Sequence, residues 1–172
     1  NMRRFNKCST TNRNLQNSVM RCKTVMTSRS VSSRFVSDIL ATYVDENCLW
    51  MLLGGTHPVI CMHFDELLHS ADGGQVLSEE TSKFYAVCMV RALESLHRSN
   101  IVYRMVDPQQ IGVDERGYLV VYDFFLAKDL SEDSRTTTLC GAKENFSPEQ
   151  VSSGVGHGLP VDLWALGIFI FE

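Results

Sequence analysis

The order of apolar and polar residues predicts a β-rich part followed by a mainly helical part. Residues 35–42 and 48–53 are apolar and flank the break Val44-Asp45-Glu46-Asn47, a pattern typical of a two-stranded hairpin. Gly54-Gly55-Thr56-His57-Pro58 combines strong chain breakers and ends this part. Before the hairpin, apolar side chains at helical spacing predict a short amphipathic helix over 17–26.

Helices dominate the second part. Residues 64–69 predict a helical turn, and Ser78 begins the longest helix, because its hydroxyl can cap the first amides and two glutamates follow it. This helix extends to about His97. A row of apolar side chains lies along one of its faces: Tyr85, Met89, Ala92 and Leu96. Residues 161–171, which include the longest apolar run of the chain, predict a buried helix.

Short β-prone segments lie between these helices. They cover residues 101–103, 111–113 and 118–122, and a turn at 114–117 joins the last two. The whole pattern predicts an α+β fold in two lobes, with a small β-rich lobe at 1–55 and the first part of a helical lobe at 56–172.

Charge divides the chain at about residue 37. The first 37 residues hold no Asp or Glu and eight Arg or Lys residues, so the net charge of −4 leaves −12 for the remainder. An acid-free stretch rich in Arg and Ser suits a transit peptide, a nucleic-acid-binding arm or the basic faces of a folded domain. Phe5 and Phe35 are its only aromatic residues, which disfavours base stacking.

The composition is that of an ordinary globular protein. With 44% hydrophobic and 21% charged residues, the chain is neither a disordered tail nor a coiled coil. Its longest apolar run is far shorter than the about 20 residues of a membrane helix. Six scattered cysteines without a C-x-x-C pair, and no signal-like start, predict reduced thiols in a cytoplasmic protein. Both ends look like cuts, so we expect a fragment of a longer chain.

Residues 101–149 carry a resemblance to a known family. Three segments stand out: Ile-Val-Tyr-Arg-Met-Val-Asp-Pro-Gln-Gln-Ile, Val-Tyr-Asp-Phe-Phe-Leu-Ala-Lys and Leu-Cys-Gly-Ala-Lys-Glu-Asn-Phe-Ser-Pro-Glu. They resemble the catalytic loop, the metal-binding D-F-G segment and the activation segment of protein kinases. The Tyr-Arg form, Leu-Cys-Gly and Gly-His-Gly-Leu-Pro-Val-Asp-Leu-Trp-Ala-Leu-Gly are similar to cyclic-nucleotide-dependent kinases of the AGC group.

The resemblance implies a bilobal kinase-like fold that is truncated at both ends. Residues 1–3 are similar to the third strand of the small lobe, 19–26 to its lobe-bridging helix, and 35–51 to its fourth and fifth strands. A narrower similarity rests on the connecting stretch 54–68, which departs from typical kinases. It is to the kinase-like domain of plant and algal proteins that fuse a type-2C phosphatase, cyclic-nucleotide-binding domains and a kinase-like domain.

Most positions that would carry the family's chemistry hold an unsuitable residue. Cys22 stands where the bridging helix has its Glu, Met105 at the catalytic Asp and Asp107 at the catalytic-loop Lys. Gln110 stands at the metal-binding Asn, Gly112 at the adenine floor and Phe125 at the Gly of D-F-G. Met105 cannot accept the proton of a substrate hydroxyl, and Asp107 repels the phosphate that a Lys would stabilise. Loss of the general base alone costs about 10²–10⁴ in rate.

Binding of magnesium and ATP is expected to be lost with the chemistry. Arg3 stands at the position of the phosphate-binding Lys, and Asp123 stands at that of a metal ligand or is a capped loop acid. Asn1 and Gly112 match apolar positions above and below the adenine ring and offer it little contact. We therefore expect no cofactor, and magnesium-ATP only if the chain is an active kinase.

Scaffold positions match the family better. A stack of apolar side chains that joins the lobes corresponds to Met26, Ile39, Tyr103 and Phe124, its anchor to Asp162, and the acid of A-P-E to Glu149. Thr138 matches the activation-loop phosphosite and Arg104 the arginine that reads its phosphate. The alternatives are that Thr138 is an unmodified loop hydroxyl and that Arg104 bonds backbone carbonyls in a tight turn.

Three functions follow from these observations. The first is a pseudokinase, a regulatory or scaffolding module of a larger cyclic-nucleotide-linked signalling protein, whose partners are other domains of the same polypeptide or signalling proteins. The second is a residually active serine/threonine kinase that uses Asp107 or a water as base. The third is a basic arm at 1–37 that binds nucleic acid or acidic partners. We expect no membrane partner, and the lack of stacking residues disfavours nucleic acid.

Overall fold

The computed structural model describes residues 2–6, 23, 33–44, 48–54, 60–70, 77–152 and 154–172. The strands are β1 (Met2–Asn6), β2 (Asp38–Val44), β3 (Cys48–Gly54), β4 (Ile60–His63), β5 (Ile101–Val102), β6 (Ile111–Asp114), β7 (Leu119–Val121) and β8 (Lys128–Asp129). The α-helices are α1 (Phe64–Ser70), α2 (Glu79–His97), α3 (Pro148–Val151) and α4 (Pro160–Phe171). Two 3₁₀ turns cover Pro108–Gln110 and Lys143–Asn145.

Strands β1, β2 and β3 form one antiparallel sheet in the order β1-β3-β2. The predicted hairpin is present, with Tyr43 opposite Trp50, and a bulge interrupts the pairing between Ile39 and Ala41. The strand that the resemblance implied near the start is β1, which pairs with the other edge of β3 and places Phe5 opposite Leu49.

Helix α2 begins and ends where its sequence pattern indicates. The hydroxyl of Ser78 accepts a hydrogen bond from the amide of Thr81 at 3.2 Å, so the predicted cap is formed. The side chains that the helix buries are Tyr85, Cys88, Met89, Ala92, Leu93 and Leu96, which include the whole predicted apolar row. The buried face of this helix therefore contributes to the main hydrophobic core.

A second sheet joins β4, β6 and β7 in that order, and β5 pairs with β8. The turn between β6 and β7 was predicted, and Oδ1 of Asp114 fixes it by accepting from the amides of Arg116 and Tyr118 at 2.8 Å each. Strands β4 and β8 were not predicted. Each is short and gains its hydrogen bonds from a partner distant in the sequence.

Residues 33–37 connect the first sheet to the second. The amide of Ser37 donates to the carbonyl of Val121 at 2.8 Å, and the amide of Val121 donates to the carbonyl of Phe35 at the same distance. The guanidinium of Arg34 lies 4.4 Å from the centre of the Tyr118 ring. One hydrophobic core consequently includes Val36 together with residues of α2, β6 and β7.

Helix α4 is only half-buried, which corrects the prediction of a buried helix at 161–171. It buries Val161, Asp162, Ala165 and Leu166, whereas Leu163, Trp164, Ile170 and Phe171 are exposed. A helix that is apolar all round gives no periodic signal for the buried face. In the part of the chain that the structure describes, no helix is both long and apolar enough to cross a membrane.

Several predictions fall outside the described residues. Asn1, Cys22 and Met26 are among them, as is the predicted helix at 17–26 except for Lys23, which is helical. Residues 2–6 and 33–37 of the basic stretch lie within the fold. For these two segments, the basic residues belong to a folded domain. The boundary predicted between residues 55 and 56 stays a prediction.

Candidate functional site

A buried carboxylate organises the turn that follows β5. Asp162 is completely buried, and its Oδ1 accepts a hydrogen bond from the amide of Arg104 at 2.7 Å. Its Oδ2 accepts from the amide of Tyr103 at 2.8 Å and lies 2.7 Å from Nε2 of His97. Helices α2 and α4 are thus both connected to this turn through one side chain.

The turn holds Arg104 in a left-handed conformation, with φ of 62°. Such backbone is costly for a residue with a side chain and persists where its surroundings enforce it. Nε and Nη2 of Arg104 donate to the carbonyl of Leu126 at 2.8 and 2.6 Å, and Nη1 donates to the carbonyl of Thr138 at 3.3 Å. The guanidinium therefore bonds backbone carbonyls, and it also reaches the loop that carries Thr138.

Two aromatic rings pack above this turn. Tyr103 and Phe124 are buried, and their ring centres lie 6.1 Å apart in an edge-on arrangement. Ile39 lies in the same hydrophobic core. The structure thus gathers the described members of the predicted stack, Ile39, Tyr103 and Phe124, in one core next to the Asp162 anchor.

Three of the positions expected to carry chemistry line a cavity of about 250 Å³. These three positions are Met105, Asp107 and Gln110, and Cys140 and Phe146 also line the cavity. Oδ1 of Asp107 accepts from the amide of Gln109 at 2.9 Å and caps the 3₁₀ turn Pro108–Gln110. Asp107 therefore has a local structural role at the position where the family has a cation.

Asp123 is buried and caps its own loop. Its Oδ1 accepts a hydrogen bond from the amide of Phe125 at 2.9 Å. Among the described residues, no group of three or more His, Cys, Asp or Glu residues could hold a metal ion. Arg3 lies in β1, and its side chain is outside the described part.

Gly112 is covered by two side chains that the sequence did not indicate. A Cβ atom at Gly112 would stand 2.5 Å from Cγ2 of Ile60 and 3.2 Å from Cε1 of Tyr122. The hydroxyl of Tyr122 lies 2.9 Å from Nδ1 of His63, so both covering residues are tied to strand β4. Ile60 therefore fills the volume that a side chain at position 112 would occupy.

The chain matches the family model described as "Protein kinase domain" over residues 4–172. The chain belongs to the protein kinase family. It is 39% identical over 150 residues to the cAMP-dependent protein kinase catalytic subunit of Dictyostelium discoideum, covering 83% of this chain and 21% of that protein. With cGMP-dependent protein kinase 2 of Homo sapiens it shares 34% identity over 140 residues, which are 81% of this chain and 18% of the relative.

These relatives establish the subgroup as well as the family. A third, cGMP-dependent protein kinase isozyme 1 of Drosophila melanogaster, is 36% identical over 143 residues, or 83% of this chain and 18% of the relative. The chain is a kinase domain fragment of the AGC, cyclic-nucleotide-dependent type with an α+β fold. It spans about a fifth of the length of these curated relatives. The narrower similarity to phosphatase fusion proteins stays a prediction.

Magnesium-ATP, which the kinase family uses, fits the described residues poorly. A kinase holds magnesium through carboxylates and the nucleotide phosphates. Here Asp123 is the one carboxylate at a matched metal position, and one of its oxygens already accepts from Phe125. Gln110 replaces the second metal ligand, and the floor position Gly112 is covered by Ile60.

The remaining matched residues lie at the edges of this site. Glu149 lies half-buried in α3, whose N-terminus is closed by a capping box between Ser147 and Gln150. Thr138 is exposed, and its amide donates to Oγ1 of Thr136 at 3.4 Å. Phe125 is half-buried and packs against the core.

Proposed function

We propose that this kinase domain fragment does not transfer phosphate and serves as a regulatory or scaffolding module of a larger cyclic-nucleotide-linked signalling protein. The observation that carries the proposal is Met105, which lines the cavity at the position of the general base and cannot accept a proton. The scaffold around it is intact, because Asp162 still bonds the amides of Tyr103 and Arg104. A fold kept in this way suits binding rather than turnover.

The rival function is a residually active serine/threonine kinase that uses Asp107 or a water as base, and the version with Asp107 is the one that a substitution tests. Asp107 is the one acid among the residues that line the cavity. Its Oδ1 is already engaged as a helix cap by the amide of Gln109. A phosphoryl-transfer assay with basic peptides separates the two functions: the module gives no transfer above background, and the residual kinase gives transfer that Asp107→Asn abolishes.

The partners that this proposal implies are other domains of the same polypeptide or other signalling proteins, in the cytoplasm. The relatives named for cAMP- and cGMP-dependent kinases support the signalling context. A nucleic-acid arm at 1–37 finds less support, since residues 2–6 form an edge strand that pairs with β3 and residues 33–37 bond β7. Binding of nucleic acid that weakens steeply with salt would favour that arm instead.

We expect millimolar magnesium-ATP to stabilise this domain little. Ligand that binds only the folded state stabilises it by RT ln(1 + [L]/Kd), about 2.7 kcal/mol at a hundredfold excess over Kd. Because Ile60 covers Gly112 and Asp123 caps its own loop, we expect no melting shift at micromolar ATP in a thermal-shift assay. A clear upward shift at micromolar ATP, reduced by Asp123→Asn, would contradict this expectation. An active relative serves as the positive control.

We further propose that Thr138 is a phosphosite read by Arg104. Nη1 of Arg104 already bonds the carbonyl of Thr138, so a phosphate of about −1.5 to −2 charge there would be within its reach. Phosphorylation of Thr138 is expected to slow proteolysis within the loop 129–141, and Arg104→Ala is expected to remove that protection. Phosphate placed on the neighbouring Thr137 is the positional control. Equal cleavage rates of all forms would refute the switch.

A further inference from the structure

The loop that carries Thr138 is held to a glycine-rich segment in its unmodified form. Thr136 and His157 exchange two backbone hydrogen bonds, each of 2.8 Å. Nη1 of the adjacent Arg135 donates to the carbonyl of Val155 at 3.1 Å. Thr136 and His157 are both buried, while Arg135 and Thr138 on either side of Thr136 are exposed. The contact is therefore a single antiparallel β-bridge whose two residues are buried.

Glycine is required where the two segments approach each other. Gly156 has φ of 68°, and a Cβ there would lie 3.4 Å from both Cβ of Arg135 and the carbonyl oxygen of Thr136. A Cβ at Gly158 would lie 3.0 Å from the carbonyl oxygen of Ser134. Within the Gly-Val-Gly-His-Gly pattern, which superficially resembles a phosphate loop, Gly156 is thus explained by its positive φ and Gly158 by its close approach to the carbonyl of Ser134.

The geometry points to a reversible clasp, which we define as residues 154–158. We propose that the clasp holds the loop 129–141 in place without a phosphate, and that protonation of His157 opens it. The proposal concerns the position of the loop and does not depend on whether the domain transfers phosphate or binds a nucleotide. A domain that has lost catalysis could in this way present or withdraw the loop as a binding surface in response to pH.

His157 is suited to such a response by its surroundings. Its side chain is 4% exposed, and Nε2 has no hydrogen-bond partner within the described part of the chain. Burial lowers the pKa of His157, and the positive charges of Arg104 and of Lys128 in β8 lower it further. Glu149 of α3 and Asp162 of α4 act in the opposite direction without reversing the shift. Protonation therefore places a charge in the clasp that the two carboxylates only partly offset.

The direction of the pH effect follows from linkage. Because the pKa of His157 is lower with the clasp closed than its ordinary value of about 6.5, the closed state binds the proton more weakly than the open state. Closure is fully favoured above about pH 6.5 and is lost as the pH falls from there towards the lowered pKa. In that interval, closure weakens by up to about tenfold per pH unit for one proton.

Hydrogen exchange at the amides of Thr136 and His157 measures the clasp directly. We expect their protection factors, each relative to the unstructured peptide at the same pH, to fall as the pH is lowered below about 6.5. The variant His157→Phe should keep a constant protection factor across this range. His69→Phe, an exposed histidine of α1, is the matched control and should behave like the natural chain.

Arg135→Ala tests the clasp independently of its titration. We expect it to lower the protection of both amides about fivefold at neutral pH, the effect of one modest hydrogen bond. Arg91→Ala, which removes an exposed arginine of α2, should leave the protection unchanged. Unchanged protection in Arg135→Ala would show that the guanidinium contact does not hold the loop, and would overturn the clasp.

The pH arm has equally definite outcomes. A pH-dependent loss that persists in His157→Phe would assign the pH dependence to another group and would overturn the role of His157. No loss in the natural chain would do the same. If His157→Phe does not fold, an NMR titration of the His157 ring in the natural chain decides, because its pKa must lie below 6.5 and track the loss of protection.

Discussion

Restoring the missing base with Met105→Asp is expected to leave this domain without measurable phosphoryl transfer. Position 105 lines the same cavity as Asp107 and Gln110, so a carboxylate introduced there would share the cavity with an acid where the family has a Lys. A carboxylate at position 105 restores the proton acceptor but not the positive charge that the family's Lys gives to the transferring phosphate. The phosphate would still meet a negative charge at position 107.

The expected size of the deficit supports this result. The general base contributes about 10²–10⁴ in rate. Phosphoryl transfer otherwise depends on positioning and charge stabilisation, which the residues at the other degenerate positions do not provide. Rate losses at residues that act together are not additive. Repairing one of these residues therefore does not recover the rate that its loss alone would cost. The pair Met105→Asp with Asp107→Lys is the stronger repair, and its gain over the single variant measures the cost of the reversed charge.

Transfer of labelled phosphate to a basic peptide is the measurement. It is made on this chain and on any longer polypeptide that contains it, with an active cyclic-nucleotide-dependent kinase alongside. Ordinary kinases turn over at about 1–100 s⁻¹. Turnover of the natural chain within about tenfold of that range, abolished by Asp123→Ala, would end the proposal that the domain is inactive. Turnover of that size in Met105→Asp alone would instead show that the missing base is the only defect.

The elements with local sequence signals were predicted well. Ser78 indicates the start of α2, because a capping hydroxyl and the acids that follow it stabilise the first helical turn locally. The structure contains that cap. The turn between β6 and β7 was predicted for the same reason, since Asp114 bonds amides two and four residues ahead of it. The family resemblance was confirmed over almost the whole chain.

What the sequence did not predict depends on contacts between distant segments. Strand β4 exists because β6 supplies its partners, and four residues of Ile-Cys-Met-His carry no alternation that would indicate a strand. The side chain of Ile60 in β4 occupies the space that a side chain at Gly112 in β6 would need, and no local sequence pattern indicates this contact. The β-bridge between Thr136 and His157 likewise joins two segments that are distant in the sequence. Such pairs determine the site more than its individual motifs do.

Asp162→Ala is expected to lower the free energy of unfolding by about 3–5 kcal/mol, because it removes a buried carboxylate that bonds two backbone amides and His97. The side chain is fully buried, and its loss would leave the amides of Tyr103 and Arg104 without their acceptor. Each orphaned buried donor costs about 1–3 kcal/mol. The strained backbone at Arg104 would also lose the bond that holds it.

Urea or thermal unfolding of the purified domain measures this effect, which corresponds to a melting shift of about 6–20 °C for a chain of this size. Asp133→Ala removes an exposed acid and should change the stability by less than about 0.5 kcal/mol. Asp162→Asn keeps the volume and one acceptor but turns an NH₂ group towards backbone donors, so it should fall between the two. A loss below about 1 kcal/mol for Asp162→Ala would show that neighbouring groups take over the amides, and that the anchor is dispensable for this fold.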